Sequence, residues 1–419
     1  MREIRGACGR HRKQEYQEKL RGVFYSVFCS ACICWLSFGL SLTAFAQETW
    51  ESGENRQEEN RAVFGEEIWE DSLDFSDIQE YLDALGGGKS RISFREMISM
   101  LLDGKWKEAG EMVVASMTDS LFSEISSGSR IFIQILVIGI AGAVFANFAS
   151  VFDKSQIADA GFYITYLLLF SLLAAGFLTA LDVAVQVMDK ATGFLRVLMP
   201  AYFMAVAFAG NAAGAVVMYE AMLFGVYALE KVVQLLLVPL LKLYIFLVLA
   251  GHISREDMLS KMTELVEKMI QWTMKTMLGA VVGVQLLQGM VLPYADSLKT
   301  GVLQKVIQVI PGIGQATGTA MQMVLGSGVL IKNTIGAAAV VILSAVCILP
   351  VIKLVLLMLF YHLAAAMLQP VCDTRMVSCI AKVAQGHKLL LDMVLVMFVL
   401  FVLSIAVVCA SSNAVYFSG

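Results

Sequence analysis

The chain has 419 residues, of which 58% are hydrophobic and only 16% charged, and its mean hydropathy is +0.72. That balance excludes an ordinary soluble domain. A formal net charge of −4 is not the basic footprint of a nucleic-acid binder. Segments of about 20 apolar residues, each long enough to cross a bilayer, predict an all-α, polytopic integral-membrane helix bundle of about six to eight spans.

Residues 1–46 read as an N-terminal signal peptide. Arg2, Arg5, Arg10, Arg12, Lys13, Lys19 and Arg21 form a basic start, and an apolar run follows from Val23 to Leu42. Ala44 and Ala46 flank Phe45 in the small-residue pattern of a cleavage site. Cleavage is the expectation; the apolar run is also long enough for an uncleaved anchor. Cys32 after Ser30-Ala31 is not read as a lipidation box, because the apolar run continues past it. Either way residue 47 begins on the outer face, and each later span inherits that orientation.

Residues 47–92 are acidic. Between Gln47 and Leu85 thirteen acidic residues face two basic ones, Arg56 and Arg61. This stretch lacks the apolar mass for a core and is expected to be extended or disordered outside the membrane. It is a solvated spacer or a docking arm for an extracytoplasmic partner.

Residues 93–129 are expected to hold an amphipathic helix lying on the membrane. Phe94, Met97, Ile98, Leu101, Leu102, Trp106, Ala109, Met112, Val113 and Met117 recur at helical spacing. Ser93 and Glu96 form a capping box at its start. The bilayer interface, the rim of the protein's own bundle or a partner helix is the natural cover for that stripe.

Residues 130–411 form the polytopic region, with a short tail at 412–419. The clear spans are Ile131–Phe152, Ala160–Leu181, Val197–Met218 and Leu389–Ala410. Leu235–Gly251 is interrupted by Pro239 and Lys242, and Met274–Leu292 by Gln285 and Gln288. Thr334–Leu368 is too long for one crossing, and Pro350 near its middle predicts a hairpin or broken helix. Val371–Lys388, with Arg375, Lys382 and Lys388 against Asp373, reads as a cytoplasmic loop. An outer residue 47 then requires an odd number of crossings before it. His252–Gln271 reads as another amphipathic helix.

Three polar features in the apolar half are candidates for function. Gly312 and Gly314 open a glycine-, Thr- and Gln-rich run through Gly318, Gly326 and Gly328. Such backbone is tolerated at membrane depth only under cover of protein or water. It reads as a re-entrant or pore-lining segment, or as close helix packing through GxxxG pairs such as Gly314/Gly318 and Gly279/Gly283. Lys242 and Lys353 each follow a proline by three residues, and a charge at that depth snorkels or marks a polar interior. Their shared P-x-x-K-L is a chance recurrence or the trace of duplicated halves. Asn147, Asn211, Glu220, Glu230, Lys231 and His362 complete the set, with His252 and His387 placed in loops. No nucleophile–base pair, metal cluster, cofactor motif or catalytic carboxylate pair assembles, so neither an enzyme, a cofactor nor a metal is expected. The cysteine spacing gives no disulfide framework.

Gly328-Val-Leu-Ile-Lys332-Asn333, Leu349-Pro350-Val-Ile-Lys353 and Ala364-Ala-Ala-Met-Leu-Gln369-Pro370 resemble the C-terminal half of the stage III sporulation protein AE family. The order of signal peptide, acidic outer segment and polytopic region is also similar. The resemblance adds Lys332 and Asn333 to the candidate pore or packing residues. It implies a membrane subunit of a sporulation channel or secretion-like complex, seated in the mother-cell membrane surrounding the forespore. Its implied partners are other membrane and ring-forming subunits of that assembly, and the lipid bilayer. A stand-alone secondary transporter and a purely structural scaffold are the competing readings.

Overall fold

The computed structural model describes residues 74–85, 93–105, 108, 128–145, 148, 155–209, 212–253, 259–308 and 314–417. The signal-peptide residues Ala44 and Ala46, and also Gly312, Asn147 and Asn211, lie outside them. The described elements are helical throughout, in accord with the all-α expectation. In chain order they are α1 (Ser76–Leu85), α2 (Phe94–Leu102), α3 (Gly128–Phe145), α4 (Ser155–Phe208) and α5 (Ala212–Val232). A π-helical turn, Val233–Leu237, leads into α6 (Val238–Gly251), followed by α7 (Ser260–Gln308), α8 (Gly314–Leu368) and α9 (Thr374–Phe417).

Among the described residues, five helical stretches are long and apolar enough to cross a membrane: Gly128–Phe145, Ala160–Phe208, Gly214–Gly251, Gly326–Leu368 and Thr374–Ala410. All but Gly128–Phe145 are longer than the spans expected. At 1.5 Å per residue, α4 with its 54 residues extends about 80 Å, against about 30 Å of hydrocarbon. The expected break in Thr334–Leu368 is absent: α8 runs unbroken through Pro350. A proline removes one hydrogen bond and crowds the preceding turn, but here α8 is packed between α4 and α9, which hold the helix on both sides of the defect. Val197–Met218, expected as one span, is instead divided between the end of α4 and the start of α5. The interruption at Pro239 becomes the π-turn, which absorbs the missing N–H and the ring's clash with the preceding carbonyl.

The Val371–Lys388 loop shrinks to a turn before Thr374, because its lysines and His387 already belong to α9. Five helical rods precede that turn among the described residues: α3, α4, α5 with α6, α7 and α8.

The outer helices are anchored on the bundle. Residues 76–85, expected to lack structure, form α1 with Ile78 and Leu82 buried. The Ser93 half of the expected capping box forms: the Glu96 amide donates to Ser93 Oγ at 3.4 Å, and Phe94, Met97, Ile98 and Leu101 are buried. α2 packs on α8 and its Phe94 ring lies 5.4 Å from that of Phe75, so the bundle itself covers the apolar stripe. α2 stops at Leu102 before Gly104, whose φ of 72° is the left-handed conformation glycine adopts freely; Trp106, Ala109, Met112, Val113 and Met117 of the stripe lie outside the described residues. Ser93→Ala is expected to cost about 1 kcal/mol of local stability, read as faster amide exchange over Met97–Leu101.

Candidate functional sites within the bundle

One end of the bundle gathers the Gly328–Gly336 stretch of α8 against α4 and α9. Gly328 sits against backbone: a Cβ there would lie 2.9 Å from the Phe208 carbonyl oxygen and 3.0 Å from the Ala209 nitrogen. One turn on, Lys332 is completely buried and its ammonium donates to the Cys409 carbonyl at 3.2 Å. Gly336, a further turn on, faces Cys409 Sγ, which is 2.9 Å from Tyr202 Oη. Gly328, Lys332 and Gly336 thus form one stripe at four-residue spacing. Gly328 is there for contact between helices. Gly326 and Asn333 are half-buried, and Asn333 Oδ1 has no partner among the described residues. Gly314 and Gly318 lie in the first turns of α8.

The two P-x-x-K-L lysines are not brought together. Lys242 is exposed on α6 after a π-turn, whereas Lys353 is half-buried in the interior of α8. Their prolines occupy different backbone settings, so the recurrence does not mark two equivalent structural halves.

A second polar group lies between α4 and α5, where the sequence gave no pairing. Arg196 of α4 ion-pairs with Glu230 of α5, which also accepts from Gln234 Nε2 at 3.3 Å. Asp189 and Thr192 join Glu230 and Gln234 around a cavity of about 10 Å³, room for one water. Gln234 belongs to the π-turn, a distortion that commonly re-aims side chains at functional positions. Lys231 diverges from Glu230, as expected, and lies 5.4 Å over the Tyr227 ring. On the outside of α4, Tyr81 of α1 donates to the Lys190 carbonyl at 3.1 Å, and its ring tip occupies the notch left by Gly193. Burial pushes the Tyr81 hydroxyl above its ordinary pKa.

His387, expected in a loop, is fully buried in α9. Its ring stacks on Tyr361 at 4.4 Å and meets Phe177 edge-on at 5.5 Å. Nδ1 engages the Val383 carbonyl at 2.9 Å, while Nε2 and Tyr361 Oη have no partner among the described residues. At the opposite end from Gly328, Tyr166 donates to the Leu249 carbonyl at 2.6 Å and touches Cys379 Sγ, and Arg375 lies 3.6 Å over the Phe162 ring. The described cysteines Cys347, Cys372, Cys379 and Cys409 are free thiols. Among the described residues no group of three or more His, Cys, Asp or Glu side chains is placed to hold a metal.

Long helices apolar enough to cross a bilayer mark a helical membrane protein. The comparisons give the family: the model for stage III sporulation protein AE matches residues 92–412, and the chain belongs to that family. It is 22% identical over 381 residues to stage III sporulation protein AE of Bacillus subtilis (strain 168), covering 89% of this chain and 96% of that relative. No solved structure matches.

Proposed function

We propose that this chain is a non-catalytic membrane subunit of a channel or secretion-like assembly, seated in the mother-cell membrane around the forespore and needed for forespore development. Family membership supports the sporulation role. The observation that carries the assembly reading is the charged cluster on helices that are otherwise apolar. Arg196 and Asp189 are exposed on α4 and Glu230 is half-buried on α5, around a space no larger than one water. Charges on such helices mark polar pathways or subunit contacts. A passage built with other subunits fits that arrangement. The acidic residues before α1 face the space between the two membranes, where ring-forming partners lie.

Extraction of the full-length chain from sporulating cells tests this: other membrane proteins should co-purify, and the chain reconstituted alone should be inert. Solute uptake by the chain alone would overturn the reading in favour of a transporter. The close contact at Gly328 favours a second reading, a structural scaffold in the same assembly. Lys353→Leu and Gly314→Leu separate the two: a pore-lining role predicts loss of spore formation with assembly retained. If sporulation and assembly both survive, the scaffold stands.

A further inference from the structure

The π-turn Val233–Leu237 leaves one carbonyl without its helical donor. At its end the Val238 N–H reaches the Val233 carbonyl, five residues back. The next residue in line, Pro239, has no N–H to give the Gln234 carbonyl. Carbonyls freed by such breaks in the helical ladder coordinate small cations in other helical membrane proteins. Gln234 also lines the small cavity between α4 and α5. Its amide Nε2 donates to Glu230 at 3.3 Å, which leaves the amide oxygen for another contact.

Thr192 points to a ligand independently. It lines the same cavity and is only 3% exposed. Thr165, Thr179, Thr263, Thr273, Thr276 and Thr334 each donate their hydroxyl to the carbonyl four residues back. Thr192 does not, and its hydroxyl has no hydrogen-bond partner among the described residues. A hydroxyl taken out of water without a partner is costly. Something held in the cavity offsets that cost.

The charge around the cavity does not balance. Asp189 and Glu230 bring two carboxylates to its wall, and Arg196 brings one guanidinium, which Glu230 engages. Lys231 is turned away over the Tyr227 ring. Lys190 is exposed on the side of α4 where Tyr81 takes its carbonyl. One negative charge is left over. The space of about 10 Å³ admits one water-sized particle. Carboxylate, hydroxyl and amide oxygens around such a space are the ligand set of a hard cation. A divalent ion would bring one charge too many.

We propose that the cavity lined by Asp189, Thr192, Glu230 and Gln234 is a binding site for one monovalent alkali cation. The Asp189 carboxylate supplies the unbalanced charge, Thr192 Oγ1 gains the partner it lacks, and Gln234 contributes an oxygen, while Glu230 remains shared with Arg196. The ion ties α4 to the π-turn, on the stretch of α4 where α1 docks. The site belongs to a single chain and does not depend on the channel reading above.

The test uses the purified full-length chain in detergent, dialysed into choline chloride. LiCl, NaCl or KCl then replaces the choline salt at constant chloride. At least one of the three should raise the thermal midpoint by about 2 °C for each tenfold increase above its dissociation constant, and choline should not. Asp189→Asn and Thr192→Val, made separately, should lose that rise. Thr179→Val, on the same helix but with its hydroxyl already bonded within α4, should keep it. Equal midpoints of the parent chain in all four chlorides, the result expected of a bound water alone, overturn the proposal. So does a rise that survives unchanged in both Asp189→Asn and Thr192→Val. Should one of these variants fail to fold, the other and the parent series decide.

Discussion

Gly328→Leu is expected to disrupt the fold, while Gly279→Leu leaves it intact. The two glycines look alike in sequence, each inside an apolar stretch with a small residue nearby. At Gly328 a Cβ would press on the Phe208 oxygen and on the Ala209 backbone, all within 3.0 Å. Backbone atoms cannot rotate aside, so α8 must move off α4 and carry with it the Lys332 contact to Cys409. Overpacking a core costs about 1–3 kcal/mol, and an immovable neighbour places this change at or above the upper end. The thermal midpoint of the full-length chain in detergent should fall sharply, with loss of monodispersity. At Gly279 there is open space, and the midpoint should not move. Equal midpoints for the two leucine variants would show that the α4–α8 contact is not what holds that end together.

The helical class, the cap at Ser93 and the apolar character of the long helices were all legible, because each depends on local pattern. What was not legible is how far the helices continue. Reading the chain in lengths of about 20 residues ends a span wherever charges appear, and so separates Ala160–Leu181 from Val197–Met218. The structure carries α4 straight through Asp182, Asp189, Lys190 and Arg196, because Glu230 meets Arg196 from another helix. The two are 34 residues apart, and no local rule pairs them. His387 was misplaced for the same reason: Lys382 and Lys388 gave its surroundings the look of a cytoplasmic loop. The ring instead fills a slot between Phe177 and Tyr361 that exists only once α4, α8 and α9 pack. Pro350 shows the converse limit, where a strong local breaker is overridden by neighbours on both sides. Of the candidate residues, Gly328 and Lys332 proved to share a stripe with Gly336. The partners that complete the stripe, Tyr202 and Cys409, come from other helices and carried no signal of their own.

The Arg196–Glu230 ion pair gives the sharpest energetic expectation. Arg196→Ala removes the cation from a group in which Glu230 and Asp189 both border one small cavity. Gln234 is then left as the neutral donor to Glu230. Breaking a fully buried pair costs roughly 3–5 kcal/mol because an uncompensated charge remains. The Arg196 side chain is 47% exposed and that of Glu230 19%, so the loss here should be nearer about 2 kcal/mol after allowance for screening. Adding Glu230→Gln should restore most of that loss, since the orphaned carboxylate is gone and the amide still bonds Gln234. Glu230→Gln alone should be milder, because Arg196 is the more exposed partner and retains Asp189 nearby. The coupling is read from the thermal midpoints of the parent, both single variants and the double variant. If the double variant is no more stable than Arg196→Ala, the residues do not act as a pair. The arginine then stabilises α4 through its stem alone. If the pair does couple, its loss should also loosen α1, because Tyr81 is held by the Lys190 carbonyl and the Gly193 notch on the turns of α4 just before Arg196. Amide exchange across Ser76–Leu85 should then rise in Arg196→Ala and return toward the parent in the double variant.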